Sequence, residues 1–97
     1  MSVSKRDKII LSIVKEVEEG NKNIQAQDFG IDMDMFWEIS EVIKDMGLVK
    51  NISFSLGKKI DYNISSITAE GMKYLKENSA LMKTYRGLKS IREWLPM

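Results

Sequence analysis

Ninety-seven residues, 43% hydrophobic and 30% charged with a single proline, are enough for one globular domain with a modest core and too few for two. The chain has no cysteine and no histidine, which excludes disulfides, thiolate nucleophiles, histidine general bases, Ser-His-Asp triads and the usual zinc sites. The net charge of +1 hides an asymmetry, because residues 1–47 carry six Lys/Arg against ten Asp/Glu and residues 48–97 carry nine against four. Such a pattern bears on association and not on fold.

No apolar run approaches the roughly 18 residues that span a bilayer, and "MSVSKRDKII" lacks the apolar core and cleavage site of a signal peptide. The expectation is a cytoplasmic chain with no membrane partner.

In chain order, Ser4 is a good N-cap with Asp7 three residues on, and Ile9, Ile10, Ile13, Val14 and Val17 follow at helical spacing, predicting a helix over 4–19 that Gly20 ends. "NKNIQAQDFGID" is polar, with room for one helical turn at 26–29. Asp32 caps a helix over 33–46 that stops at Gly47. "LVKNISFS" and "KIDYNIS" alternate Ile52, Phe54 and Ile60, Tyr62, Ile64 around "SLGKK", predicting a β-hairpin over 48–66. Thr68 caps a helix over 69–78 with Met72 and Leu75 inward. Ser79 caps a last helix over 80–95, with Leu81, Tyr85, Leu88, Ile91 and Leu95 on one stripe.

Helices at a tight glycine turn followed by a hairpin form the winged helix-turn-helix plan, so the expected class is α+β: a single winged-helix domain over 1–97, the hairpin as wing, and an added C-terminal helix. "ITAEGMKYL" resembles the Leu/Ile-Thr-x-x-Gly-x-x-x-Leu segment that comes after the wing in many winged-helix proteins. There Thr68 satisfies exposed helix donors and Gly71 lets the hairpin backbone come close. With that segment, "YLKENSALMKTYRGLKSIREWL" is similar to the C-terminal half of the YjcQ family of small bacterial and phage-associated proteins, and "EEGNK", "FGID" and "KDMGLV" stand at its corresponding turns. The resemblance covers nearly the whole chain. It implies a winged-helix-like fold and a link to prophage genes, and it carries over no activity and no catalytic or binding residues.

The helix over 33–46 sits where a winged helix carries the element it lays on DNA. Wound at 100° per residue, it places Phe36, Ile39, Ile43 and Met46 on a core face and Asp34, Glu38, Glu41 and Asp45 within a sector of about 60° on the opposite side. One carboxylate can read a cytosine amino group, but four without an arginine among them meet phosphates poorly. The stripe reads as a solvated face, as a docking surface for a basic protein partner, or as a carboxylate-only cation site, which one straight helix does not enclose. Trp37, at the border of the stripe, reads either as covered by the final helix or as an aromatic anchor of the same docking surface.

Positive charge gathers elsewhere. Lys58 and Lys59 at the wing tip, Lys50 at the base of the hairpin, and Lys5, Arg6 and Lys8 in the first helix are the candidates for phosphate contact, with edge solubility as the plainer account of the wing lysines. Lys83, Arg86, Lys89 and Arg92 drift around the last helix and read mainly as solvation, with phosphate contact or pairing to the acidic helix of another copy as alternatives. The apolar side of that helix, broadened by Trp94, suggests a homodimer seam. No phosphate loop or paired catalytic acids appear, and Ser79 and Lys83 are four apart as on any amphipathic helix.

The leading expectation is therefore a non-enzymatic adaptor or regulator of phage type with no cofactor and no metal, docking a protein through Asp34, Trp37, Glu38, Glu41 and Asp45. The alternative is a DNA-binding regulator whose wing touches phosphates.

Overall fold

Three side-chain caps place the long helices. In the computed structural model, which describes residues 3–96, the Ser4 hydroxyl accepts from the Asp7 N–H at 3.0 Å and opens α1, Lys5–Glu18. The Asp32 carboxylate accepts from the Met35 N–H at 2.8 Å and opens α2, Met33–Asp45. The Thr68 hydroxyl accepts from the Gly71 N–H at 3.0 Å and opens α3, Ala69–Glu77. Met1, Ser2 and Met97 of the expected 1–97 unit lie outside the described residues.

α1 is buried on more than one side, from Ile9 through Val14 and again at Glu16 and Val17, as befits the helix the others surround. α2, α3 and the hairpin pack on it or on one another. Between α1 and α2 a single 3-10 turn, Ala26–Phe29, buries Phe29, and the Asp28 carboxylate accepts from the Gln25 N–H at 2.8 Å. Phe29 stacks on Phe36 at 6.3 Å, which locks the turn to α2.

The hairpin is two short antiparallel ladders in line. β1 (Val49–Lys50) pairs with β4 (Ser66–Ile67), and β2 (Ser53–Ser55) pairs with β3 (Lys59–Asp61), Phe54 facing Ile60. Asn51, at φ +64, and the turn Tyr62–Ser65 interrupt them. Tyr62 is buried and shares a 2.8 Å hydrogen bond with Ser40 of α2, which fixes the hairpin over that helix. At the far end the Thr68 hydroxyl also donates to the Gly47 carbonyl, and the Thr68 N–H donates to Leu48 O at 3.1 Å. Gly71 closes the same joint: a Cβ there would run into the Leu48 carbonyl oxygen and stand 2.7 Å from Ile67 Cγ1. The result is an α+β fold, helices with a small antiparallel hairpin, in which no helix among the described residues is long and apolar enough to cross a membrane.

The segment after α3 departs from the sequence expectation. Instead of one helix over 80–95 capped by Ser79, there are α4 (Ser79–Met82), a 3-10 turn (Leu88–Ser90) and α5 (Ile91–Trp94), and the residue before α4 is Asn78, whose side chain makes no cap bond. The N–H groups of Thr84 and Tyr85 reach back three residues instead of four, and Gly87 stands at φ +101, a conformation open to glycine that ends a helix. Leu81, Tyr85, Leu88, Ile91 and Leu95 nevertheless all pack on the core.

Three residues expected inside are exposed: Met46 at 45%, Ile64 at 70% and Met72 at 48%. Met46 is the C-cap of α2, and Ile64 lies in the turn between the ladders. α3 approaches through Gly71 and Leu75, four apart, which rotates Met72 outward.

Candidate functional site: the outer face of α2 and the hairpin tip

The core side of α2, Phe36, Ile39, Ser40 and Ile43, is fixed by Tyr62 and the other helices, so the helical period leaves Asp34, Glu38, Glu41 and Asp45 on the outside. All four are exposed. Only Glu38 has a cationic neighbour among the described residues, Arg6 at 3.9 Å, and both partners are too exposed for the pair to contribute much. No group of three or more acidic side chains converges on a metal-sized site among those residues.

The flanks of the stripe differ. On one side Met35, Val42 and Met46 line up at helical spacing and are exposed or half-buried. On the other, half-buried Trp37 meets Phe54 edge to face at 5.1 Å, with Lys58 Nζ 5.2 Å over the Trp37 ring and Lys44 Nζ 5.3 Å over Phe54. The cover over Trp37 is thus the hairpin, in place of the final helix that one of the two sequence readings placed there, and the ring stays half-buried. Its partner is too distant in sequence for helical period to identify.

At the tip, Leu56 is 95% exposed, Gly57 and Lys58 take left-handed conformations, and Lys58 and Lys59 are exposed, as is Lys50 at the base. The first-helix cations do not join them as one patch. Lys8 donates to the Trp94 carbonyl at 2.8 Å and lies 5.2 Å over the Trp94 ring, Arg6 leans to Glu38, and Lys5 lines a cleft with Arg92 and Pro96.

Arg92 is no solvating charge either. Its guanidinium donates to Gln27 O at 2.8 Å, a carbonyl that also accepts from the Gly30 N–H, and to Asp28 O at 3.3 Å, tying the end of the 3-10 turn to the C-terminal segment. Trp94 packs on Tyr85 at 5.0 Å and donates to the Thr84 hydroxyl at 2.7 Å. The apolar side chains of this segment pack on the core, with Leu81, Tyr85, Leu88 and Trp94 half-buried, and no large hydrophobic among its described residues is exposed.

Two buried polar clusters had no sequence signal. Glu16, 6% exposed, accepts from the Tyr85 hydroxyl at 2.6 Å and from Asn21 Nδ2 at 2.8 Å. Burial first, then the bond to Glu16 and nearby carboxylates, push the Tyr85 pKa far above its ordinary value. Burial likewise raises that of Tyr62, against the opposing effect of its Ser40 bond. Both tyrosines are satisfied inside the fold, so they brace it and face no open site.

A family model described as YjcQ protein matches residues 8–94, from the lysine that reaches Trp94 to Trp94 itself. A relative from Bacillus subtilis (strain 168), described as uncharacterized protein YjcQ, is 31% identical over 91 residues, covering 93% of this chain and 97% of its own. No solved structure matches the chain. The match takes in α2, the hairpin and the Thr68–Gly71 joint that ties them to α3, and the chain belongs to the YjcQ family.

Proposed function

We propose that the chain is a non-enzymatic winged-helix adaptor or regulator, of the phage or prophage type that its sequence resembles, working through protein contacts on α2. The order α1, 3-10 turn, α2 and a hairpin laid over α2 by Ser40–Tyr62 supports the winged-helix reading of the α+β fold. The observation that carries the function is the outer face of α2: four exposed carboxylates along about 16 Å of helix, at 1.5 Å per residue, beside a methionine ridge. Methionine adapts to varied apolar partners, and a row of like charge selects a basic one. A partner of basic, amphipathic character fits this surface, with Trp37 at its edge.

A labelled, lysine-rich amphipathic helical peptide is the probe. Its anisotropy rises with wild-type protein and falls at least tenfold in affinity with the Asp34→Asn, Glu38→Gln, Glu41→Gln, Asp45→Asn variant. Equal binding to both proteins rejects the docking face.

The exposed Lys50, Lys58 and Lys59 favour a second reading, a DNA-binding regulator touching phosphates through the hairpin. Random duplex DNA at about 50 mM and about 200 mM salt tests it, because phosphate-driven binding weakens steeply over that range. Salt-sensitive binding lost in Lys58→Glu, Lys59→Glu would establish the second reading over the first.

A further inference from the structure

A groove of about 500 Å³ runs between α1, α3 and α4. Its floor is apolar, formed by exposed Met72, buried Leu75 and half-buried Met82. Lys73, Lys76 and Lys83 stand on its rim, all exposed. Among the described residues the ion pairs are Arg6–Glu38 and Lys15–Glu18, so none of the three rim lysines is paired with a described carboxylate. Its opposite wall ends in Lys15, held at 2.8 Å by Glu18, whose hydrogen bond raises the lysine pKa.

The groove therefore asks for an amphipathic, acidic helix face with flexible apolar side chains. The same chain carries one. On α2, Met35, Val42 and Met46 form a ridge and Glu38, Glu41 and Asp45 run beside it, so both the apolar and the charged halves of the groove find a counterpart. The geometry points to a second copy of this chain as the partner, with the outer face of α2 from one copy seated in the lysine-rimmed groove of the next. This rests on the reading of α2 as a docking face and names its partner.

The two surfaces are different patches, so the contact is heterologous and its charges are complementary without any residue facing its own copy. The acidic excess of residues 1–47 and the basic excess of residues 48–97 orient copies in the same sense during encounter. Exposed charges in an interface make its strength dependent on salt.

Sedimentation velocity on the full chain over a concentration series tests the pairing. At about 50 mM salt the weight-average mass rises with concentration, and at about 500 mM the association weakens at least tenfold. Glu41→Lys, Asp45→Lys and, separately, Lys73→Glu, Lys76→Glu each abolish self-association, and an equimolar mixture of the two variants restores it, since the intact groove of the first meets the intact α2 of the second and the two reversed surfaces are complementary as well. All four positions are exposed, and matching melting temperatures confirm that the variants remain folded. A wild type that stays monomeric at low salt overturns the pairing, as does a mixture that associates no better than its parts. If that monomer still binds the lysine-rich peptide through α2, the docking face stands and only the choice of a second copy fails. If it binds neither, both fall.

Discussion

α2 and the segment Ser79–Leu95 have similar apolar spacing, yet one is a continuous helix and the other a series of short turns. α2 has Asp32 at its first donors and Gly47, at φ +70, just beyond its last turn, so its ends are set within the element. Neither α4 nor α5 has a side-chain cap, and Gly87 interrupts them. The bonds that hold that segment come from far away: Tyr85 to Glu16, Arg92 to the carbonyls of Gln27 and Asp28, and Trp94 to Lys8. Apolar spacing decides which residues turn inward, and it leaves open whether the backbone between them stays helical.

Substitutions at the two kinds of joint sharpen the contrast. The largest expected effect is at the tight junction between α2, the hairpin and α3. Gly71→Ala forces a methyl against the Leu48 carbonyl, and a loss of about 3 kcal/mol in urea unfolding is expected from such overpacking. A loss well under 1 kcal/mol would mean the junction gives way easily and is no anchor. Next, Tyr85→Phe removes a donor from buried Glu16 while Asn21 remains, and about 2 kcal/mol should be lost in the same measurement. If nothing is lost, the Tyr85–Glu16 bond does not hold the C-terminal segment, and its anchoring falls to Arg92, Lys8 and apolar packing. Gly87→Ala puts a side chain at φ +101, ψ 174, a backbone region essentially confined to glycine, with open space around it, so only backbone strain opposes it, at about 2 kcal/mol. A neutral result would show that the break in the segment shifts freely.

The smallest effect near neutrality is a pH dependence. Tyr62 and Tyr85 both hold their protons more tightly when folded than in the unfolded chain, where tyrosine titrates near pH 10. Their contribution is fully present below about pH 10 and is lost as pH rises through the alkaline range, because the unfolded state ionises first. Melting temperatures tracked from pH 8 to about pH 11.5 should fall only beyond about pH 10, and less steeply in Tyr85→Phe.

The sequence made α1, the 3-10 turn, α2, the hairpin and α3 legible because their signals are local. Ser4, Asp32 and Thr68 each cap a helix that begins at the next residue, and Gly20 and Gly47 close the turns after α1 and α2. The acidic stripe was legible for the same reason, since it derives from one helical period. The hairpin cover over Trp37, the Glu16–Tyr85 bond, and the engagement of Lys8 and Arg92 were not, because each joins residues from separate elements. Periodicity also assigned Met46 and Met72 to the core, where a helix end and the Gly71 contact turned them outward.

The bond from Lys8 to the Trp94 carbonyl spans 86 positions, and that from Tyr85 to Glu16 spans 69. Folding slows as the contacts that must form lie farther apart along the chain. α1 can coil early, but its buried face stays open to water until the far end of the polypeptide returns to it. A refolding chevron should therefore show a slower folding limb than a bundle of short local helices, and Tyr85→Phe should mainly accelerate unfolding if this closure comes after the transition state.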